Sequence, residues 1–361
     1  MAVFCRFAVF SFRVYDLLSS LLKVEKRLHV LPALRGFAMA RNASLDYARL
    51  IAAFGIVLFH AGAPGGVAGY AGLPFFLMLL LVLAWPAAQK LEFAAYARSR
   101  AQRLLIPFFI WSAIYGGVKL VEVLVTRKSF TQEFSASMLL TGPAIHLWFL
   151  PFAFVACLAV YPLDWAQGPL HVRIPKATAR RNRLVFLAGL AGAAWLAMAL
   201  RQGQVWPAPF AQWAYAFPAV CLGMGYAVAQ GRPVLQLGLA GVVAGFALWA
   251  GWTDGVPQLV AAALALLICQ SIRLPETPLS RLSVHAAMGV YLCHPLAASV
   301  LERTTDLGRH SLGLALATAA LALLATLGAA AVRQYWASPV FDLCRVLRSL
   351  RLGRLLMLRR A

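Results

Sequence analysis

The stretch Gly69-Tyr-Ala-Gly-Leu73-Pro-Phe-Phe-Leu-Met-Leu-Leu80-Leu-Val-Leu-Ala-Trp85-Pro-Ala-Ala-Gln89 runs for 21 residues without a charged side chain. About 20 mostly apolar residues are what a helix needs to cross the hydrocarbon core of a bilayer. Similar stretches recur on both sides of it. They predict ten spans, at about 46–62, 69–89, 104–125, 144–164, 184–200, 208–229, 234–252, 256–272, 282–301 and 311–332. Composition agrees over all 361 residues: 62% are hydrophobic and only 12% charged, with a mean hydropathy of +0.76. A soluble globular protein carries about twice that share of charge. The expected fold is an all-α polytopic membrane protein, and no soluble domain is left over.

Charge gives the orientation. The chain has 33 Lys and Arg against 12 Asp and Glu, a net charge of +21. On a soluble protein that excess would point to nucleic acid; in a membrane protein it concentrates in cytoplasmic loops. With ten spans, 26 of the 33 basic residues fall on one side and five on the other, with Arg49 and Lys119 inside spans. Losing one helix would invert every later loop, so the asymmetry supports the span count and predicts two cytoplasmic termini. Residues 1–43 form a basic segment, read as an interfacial helix or as upstream of a true start at Met39. Residues 336–361, with Arg345, Arg348, Arg351 and Arg354 three apart, read as a basic amphipathic tail on the membrane surface. The six cysteines show no metal-ligand or disulfide spacing and are expected to act as small apolar residues.

Ionisable groups inside spans are costly and mark function by default. Arg49 and His60 are eleven residues apart, about 20° beyond three turns, so they share a face and stand about 16 Å apart along the axis. Arg49 is expected near the cytoplasmic end and His60 in the outer half. Lys119 and Glu122, an i,i+3 pair, are expected to neutralise each other. His146 of His146-Leu-Trp-Phe-Leu150 is placed near the outer surface, with Trp148 as a membrane-interface aromatic. His294 of Tyr291-Leu-Cys-His294-Pro295 lies past the middle of its span. Arg98, Arg100 and Arg103 border the third span on the cytoplasmic side, where paired guanidinium donors suit phosphate. This layout predicts an anionic cosubstrate taken from inside and imidazole chemistry toward the outside. No metal site is expected, and no role is assigned to His171, His285 or His310.

From about residue 44 to 335 the chain resembles the acyltransferase-3 family, integral-membrane O-acyltransferases of bacterial surface polysaccharides. Arg49 and His60 match its R/K-x10-H pattern, and Arg100-Ala-Gln-Arg103 its RxxR motif. His146-Leu-Trp-Phe-Leu150 resembles its fourth-helix signature, and Tyr291-Leu-Cys-His294 its late Y-x-x-H. The motifs stand in the family's order. The Ser-Gly often found in its second span is missing from Leu73-Pro-Phe-Phe-Leu-Met-Leu-Leu80.

The resemblance implies transfer of an acyl group from cytoplasmic acyl-CoA (acetyl-CoA or succinyl-CoA) to a hydroxyl of a cell-surface, exopolysaccharide or lipid-linked sugar, in the bacterial inner membrane. Arg100 and Arg103 are then expected to hold the coenzyme A phosphates. His60 is expected to act as general base, with Arg49 and His294 as further catalytic residues, and His146, Trp148 and Tyr291 are candidates for the acceptor side. A sugar hydroxyl is a poor nucleophile at neutral pH, which is why a positioned base is needed. An acyl-histidine route stays open. Membrane lipids are the other expected partner, and nucleic acid is not one. A polysaccharide transporter or flippase, with Pro151 and Pro218 breaking helices, is the second reading. A non-catalytic subunit of an export complex is the third.

Overall fold

The computed structural model describes residues 42–162 and 176–336, with the isolated positions Leu17 and Ser20. The amphipathic tail, nearly all of the basic N-terminal segment, and His171 lie outside the described residues. All regular structure within them is helical. The ten main helices are α1 (Ala43–His60), α2 (Gly72–Ala88), α3 (Phe93–Thr126), α4 (Phe149–Leu158), α5 (Lys176–Arg201), α6 (Phe210–Val228), α7 (Pro233–Trp249), α8 (Val256–Ser271), α9 (Pro278–Thr304) and α10 (Leu312–Trp336). One falls on each predicted span. Seven helical segments are long and apolar enough to cross a membrane, while α7 and α8 are shorter apolar helices of 17 and 16 residues. The fold is an all-α polytopic membrane protein.

Helix α2 is central because nothing along it needs water. It packs against α1, α3, α4, α6 and α8, and Leu77, Leu81 and Ala84 are fully buried. The 34-residue α3 is peripheral. It begins eleven residues before the predicted span, so Arg98, Arg100 and Arg103 lie on the helix itself. Phe109, Val121, Leu124 and Val125 point outward from it; in lipid an exposed apolar face carries no penalty. Pro151 falls in the first turn of α4, where a missing N–H removes no helix bond, and α6 runs on through Pro218. Neither proline breaks its helix.

Local chemistry fixes where α1 starts. The Asn42 carboxamide oxygen accepts from Ser44 N at 3.0 Å, an N-cap bond. Its Nδ2 donates to the Cys269 and Ile272 carbonyls at 2.8 and 3.1 Å. Ser44 Oγ donates to the same Ile272 carbonyl at 2.7 Å, and Tyr47 Oη meets Thr277 Oγ1 at 2.7 Å. Thr277 in turn caps α9 through a reciprocal box with Ser280. The N-terminal end of α1 is thus clasped to the end of α8 and the start of α9, which sets α1 and α9 side by side.

Lys119 does not pair with Glu122. Its Nζ lies 3.3 Å from Glu133 Oε2, while Lys128 lies 3.3 Å from Glu122 and 3.6 Å from Glu133. The short helix Phe130–Glu133 folds back beside α3 and offers a carboxylate from a second element. The hydrogen bond from Lys119 holds the Glu133 carboxyl below its usual range. The bond to Glu122 raises the Lys128 ammonium.

Candidate active site

Pro295 organises the site. In an unbroken helix the residue-295 N–H would bond to the Tyr291 carbonyl; proline has none, so that carbonyl is released. It accepts instead from the His294 ring, with Nδ1 at 2.7 Å. A carbonyl only accepts, so the proton sits on Nδ1 and Nε2 keeps its lone pair. That Nε2 is buried without a hydrogen-bond partner, and His294 is 1% exposed. One residue on, the Leu292 carbonyl accepts from Tyr115 Oη at 2.8 Å and from His146 Nε2 at 3.2 Å. His146 therefore carries its proton on Nε2.

Three imidazoles from three segments meet here. The His294 ring lies 5.1 Å from His60, at the end of α1, and 5.4 Å from His146, in the 3-10 turn Ile145–Trp148 ahead of α4. His146 and His294 are buried, whereas His60 is exposed. His146 therefore sits inside the cluster, covered by the surrounding protein. Tyr291 Oη donates to the His146 carbonyl at 2.5 Å, so that hydroxyl is committed to holding the turn. Trp148 packs on Phe149 and Phe152. The bare Nε2 of His294 can accept a proton or a hydrogen bond, but in this tautomer it cannot donate to a developing oxyanion. Among the described residues, no group of three or more His, Cys, Asp and Glu is arranged to hold a metal ion.

At the other end of α1 a cavity of about 600 Å³ opens, lined by Arg49, Arg232, Arg273, Gln236, Gln270 and His285 among others. Arg49 Nη1 donates to Asp46 Oδ1 at 3.1 Å. None of the three clustered histidines lines this cavity, and neither do Arg100 and Arg103. Arg100 is buried with its guanidinium carbon 5.2 Å from the Tyr96 ring centroid, and Arg103 is exposed.

The sequence model of this family's acyltransferase domain matches residues 42–333, more than three quarters of the chain. The chain belongs to the acyltransferase-3 family. No curated protein and no solved structure matches it. As an acyltransferase-3 member it is a multi-pass membrane protein with acyltransferase activity. Three of the four motifs quoted above converge in this fold. The R/K-x10-H pair spans α1 from the cavity to the histidine cluster. The fourth-helix signature and the Y-x-x-H join it there, and RxxR stands apart on α3.

Sequence reasoning missed Tyr115, whose hydroxyl shares the Leu292 carbonyl with His146. It also left Arg232, Arg273 and His285 without a role, although all three line the cavity. Arg232 and Arg273 are indistinguishable in the sequence from other positive-inside residues. The proline after His294 was the available signal for the tautomer.

Proposed function

We propose that this acyltransferase moves an acetyl or succinyl group from cytoplasmic acyl-CoA to a hydroxyl of a surface-glycan or lipid-linked sugar in the bacterial inner membrane. The observation that carries this reading is the convergence of His60, His146 and His294 around one unpartnered nitrogen. In the proposed step neutral His60 takes the proton of the sugar hydroxyl as its oxygen attacks the thioester carbonyl. The C–S bond breaks, and the coenzyme A thiolate recovers that proton. His294 is a positioning residue in this proposal: when the acceptor docks, the His60 ring turns so that its N–H donates to the bare Nε2 of His294, which leaves the other His60 nitrogen unprotonated toward the acceptor.

The coenzyme A nucleotide is assigned to the cavity, where Arg49, Arg232 and Arg273 supply guanidinium donors for its phosphates. The pantetheine arm then has about 16 Å of α1 to travel from Arg49 to His60. Ala52, Ala53, Ile56 and Val57 are closed along that length, so the arm passes by parting helices around α1.

The test uses full-length protein in nanodiscs with acyl-CoA and de-O-acylated glycan, following thiol release and glycan mass. His60→Ala, at equal membrane abundance, is expected to lose about 10²–10⁴-fold in rate, the usual share of a positioned base. Unchanged transfer by that variant would remove His60 from the mechanism.

A further inference from the structure

Beyond the His60 end of α1 runs a line of rings that the acyl-transfer chemistry does not use. Phe59 lies 5.4 Å from the His60 ring and stacks on Tyr70 at 4.0 Å. Tyr70 lies 5.6 Å from Tyr215. The Arg201 guanidinium sits 4.9 Å over the opposite end of the line, at Tyr215, and its Nη2 donates to Asp254 Oδ2. The chain is shaped for this junction. Gly255 has φ +77, and a Cβ there would stand 2.7 Å from the Tyr215 ring, so only glycine lets α8 begin against that tyrosine.

The Arg201–Asp254 pair is lopsided. The arginine side chain is 15% exposed and the aspartate 75%. An ion pair so open to solvent contributes little to stability. What it does provide is a largely exposed carboxylate tied through Oδ2 to a half-buried guanidinium. The slot beside it, bordered by Arg201, Tyr215 and Asp254, has room for about 10 Å³, enough for about one water. A ligand here lies along the surface instead of entering a cavity.

We propose that this line is a subsite for neutral sugar units of the acceptor, distinct from the sugar that is acylated. The inference rests on the glycan-acceptor reading above. Ring faces carry negative quadrupole density and suit the C–H faces of a pyranose. The Asp254 carboxylate accepts from neighbouring hydroxyls, with the stronger hydrogen bonds of an ionised acceptor. Its outward negative charge disfavours uronic acids. The acceptor is thus an oligosaccharide, bound at the Asp254 end and presented at its other end to His60.

The probe is the de-O-acylated surface polysaccharide of the producing strain, cut to short oligosaccharides and, separately, to monosaccharides. Binding to full-length protein in nanodiscs is measured by calorimetry without acyl donor, and transfer kinetics with it. Asp254→Asn, which alters an exposed group, and Tyr215→Leu are each expected to weaken oligosaccharide binding about tenfold, the scale of one hydrogen bond to a charged group. They raise acceptor KM far more than they lower kcat and leave monosaccharide kinetics nearly unmoved; a structural clamp alone would lower stability without that split. Absence of binding by wild type, or equal affinity in wild type and Asp254→Asn, overturns the subsite. Unchanged acceptor KM in an active enzyme overturns it too, while acyl transfer stands. Weakened binding in Asp254→Asn without transfer by wild type supports the subsite and sinks the parent reading.

Discussion

Pro295 sets the chemistry of its neighbour. By freeing the Tyr291 carbonyl it fixes the His294 proton on Nδ1 and leaves the buried Nε2 bare. Pro295→Ala returns that carbonyl to the helix ladder and removes the pin. Alanine is favoured over proline in a helix interior by up to about 3 kcal/mol, so this variant is expected to melt higher yet transfer acyl groups at least tenfold more slowly. A thermal scan beside a rate measurement checks the opposed signs. Tyr291→Phe removes one of the two hydrogen bonds to the His146 carbonyl, which keeps the Phe149 N–H, at a cost of about 0.5–1.5 kcal/mol, and is expected to lower both melting temperature and rate. At this scale the sequence was informative about identity: His60, His146 and His294 were all singled out from spacing, burial cost and family resemblance. It was silent on protonation, because which carbonyl a ring nitrogen meets is a matter of approach between segments.

Among elements, α1 and the short turn Gly66–Gly69 meet backbone to backbone. A Cβ on Gly55 would lie 2.5 Å from the Gly69 carbonyl oxygen, and one on Gly69 would lie 2.5 Å from that of Gly55. Two backbones cross here with nothing between them, the arrangement small residues permit between membrane helices. Gly55→Ala and Gly69→Ala are each expected to cost about 1–3 kcal/mol through overpacking. The measurable sign is a lower melting temperature and a lower folded yield in detergent. The crossing also fixes the height of His60 beside α9, so surviving protein is expected to be slow. The ion pairs show why element-level reading fell short at Lys119. Spacing on α3 identified the nearest acid on the same helix, whereas the chain turns at Ser129 and brings Glu133 closer.

At the level of the molecule, the charge asymmetry makes a topological prediction. In a background with the native cysteines replaced, Gln204→Cys, in the exposed loop after α5, is expected to react with an impermeant maleimide in intact cells. Lys90→Cys, exposed between α2 and α3, is expected to react only after permeabilisation. The reverse pattern would invert the molecule and put the Arg49 cavity on the outside. The same geometry bears on the donor. Arg49→Ala and Arg232→Ala are expected to raise acyl-CoA KM several-fold with little change in acceptor KM. Arg103→Ala, exposed and away from the cavity, is expected to change neither by more than about twofold.

The sequence alone determined the helical membrane class, the ten helices, the motif order and the shared face of Arg49 and His60. These depend on apolar length and on 100° per residue, both properties of a single helix. The tertiary structure decided which rings meet, that the cavity gathers Arg49 with Arg232 and Arg273 while Arg100 packs on Tyr96, and that Lys119 answers Glu133. Those outcomes depend on how each helix is rotated and how deeply it is set against its neighbours. Packing at Gly55 and Gly69 and the clasp at Asn42 contribute to that choice, and no periodicity within one segment encodes it.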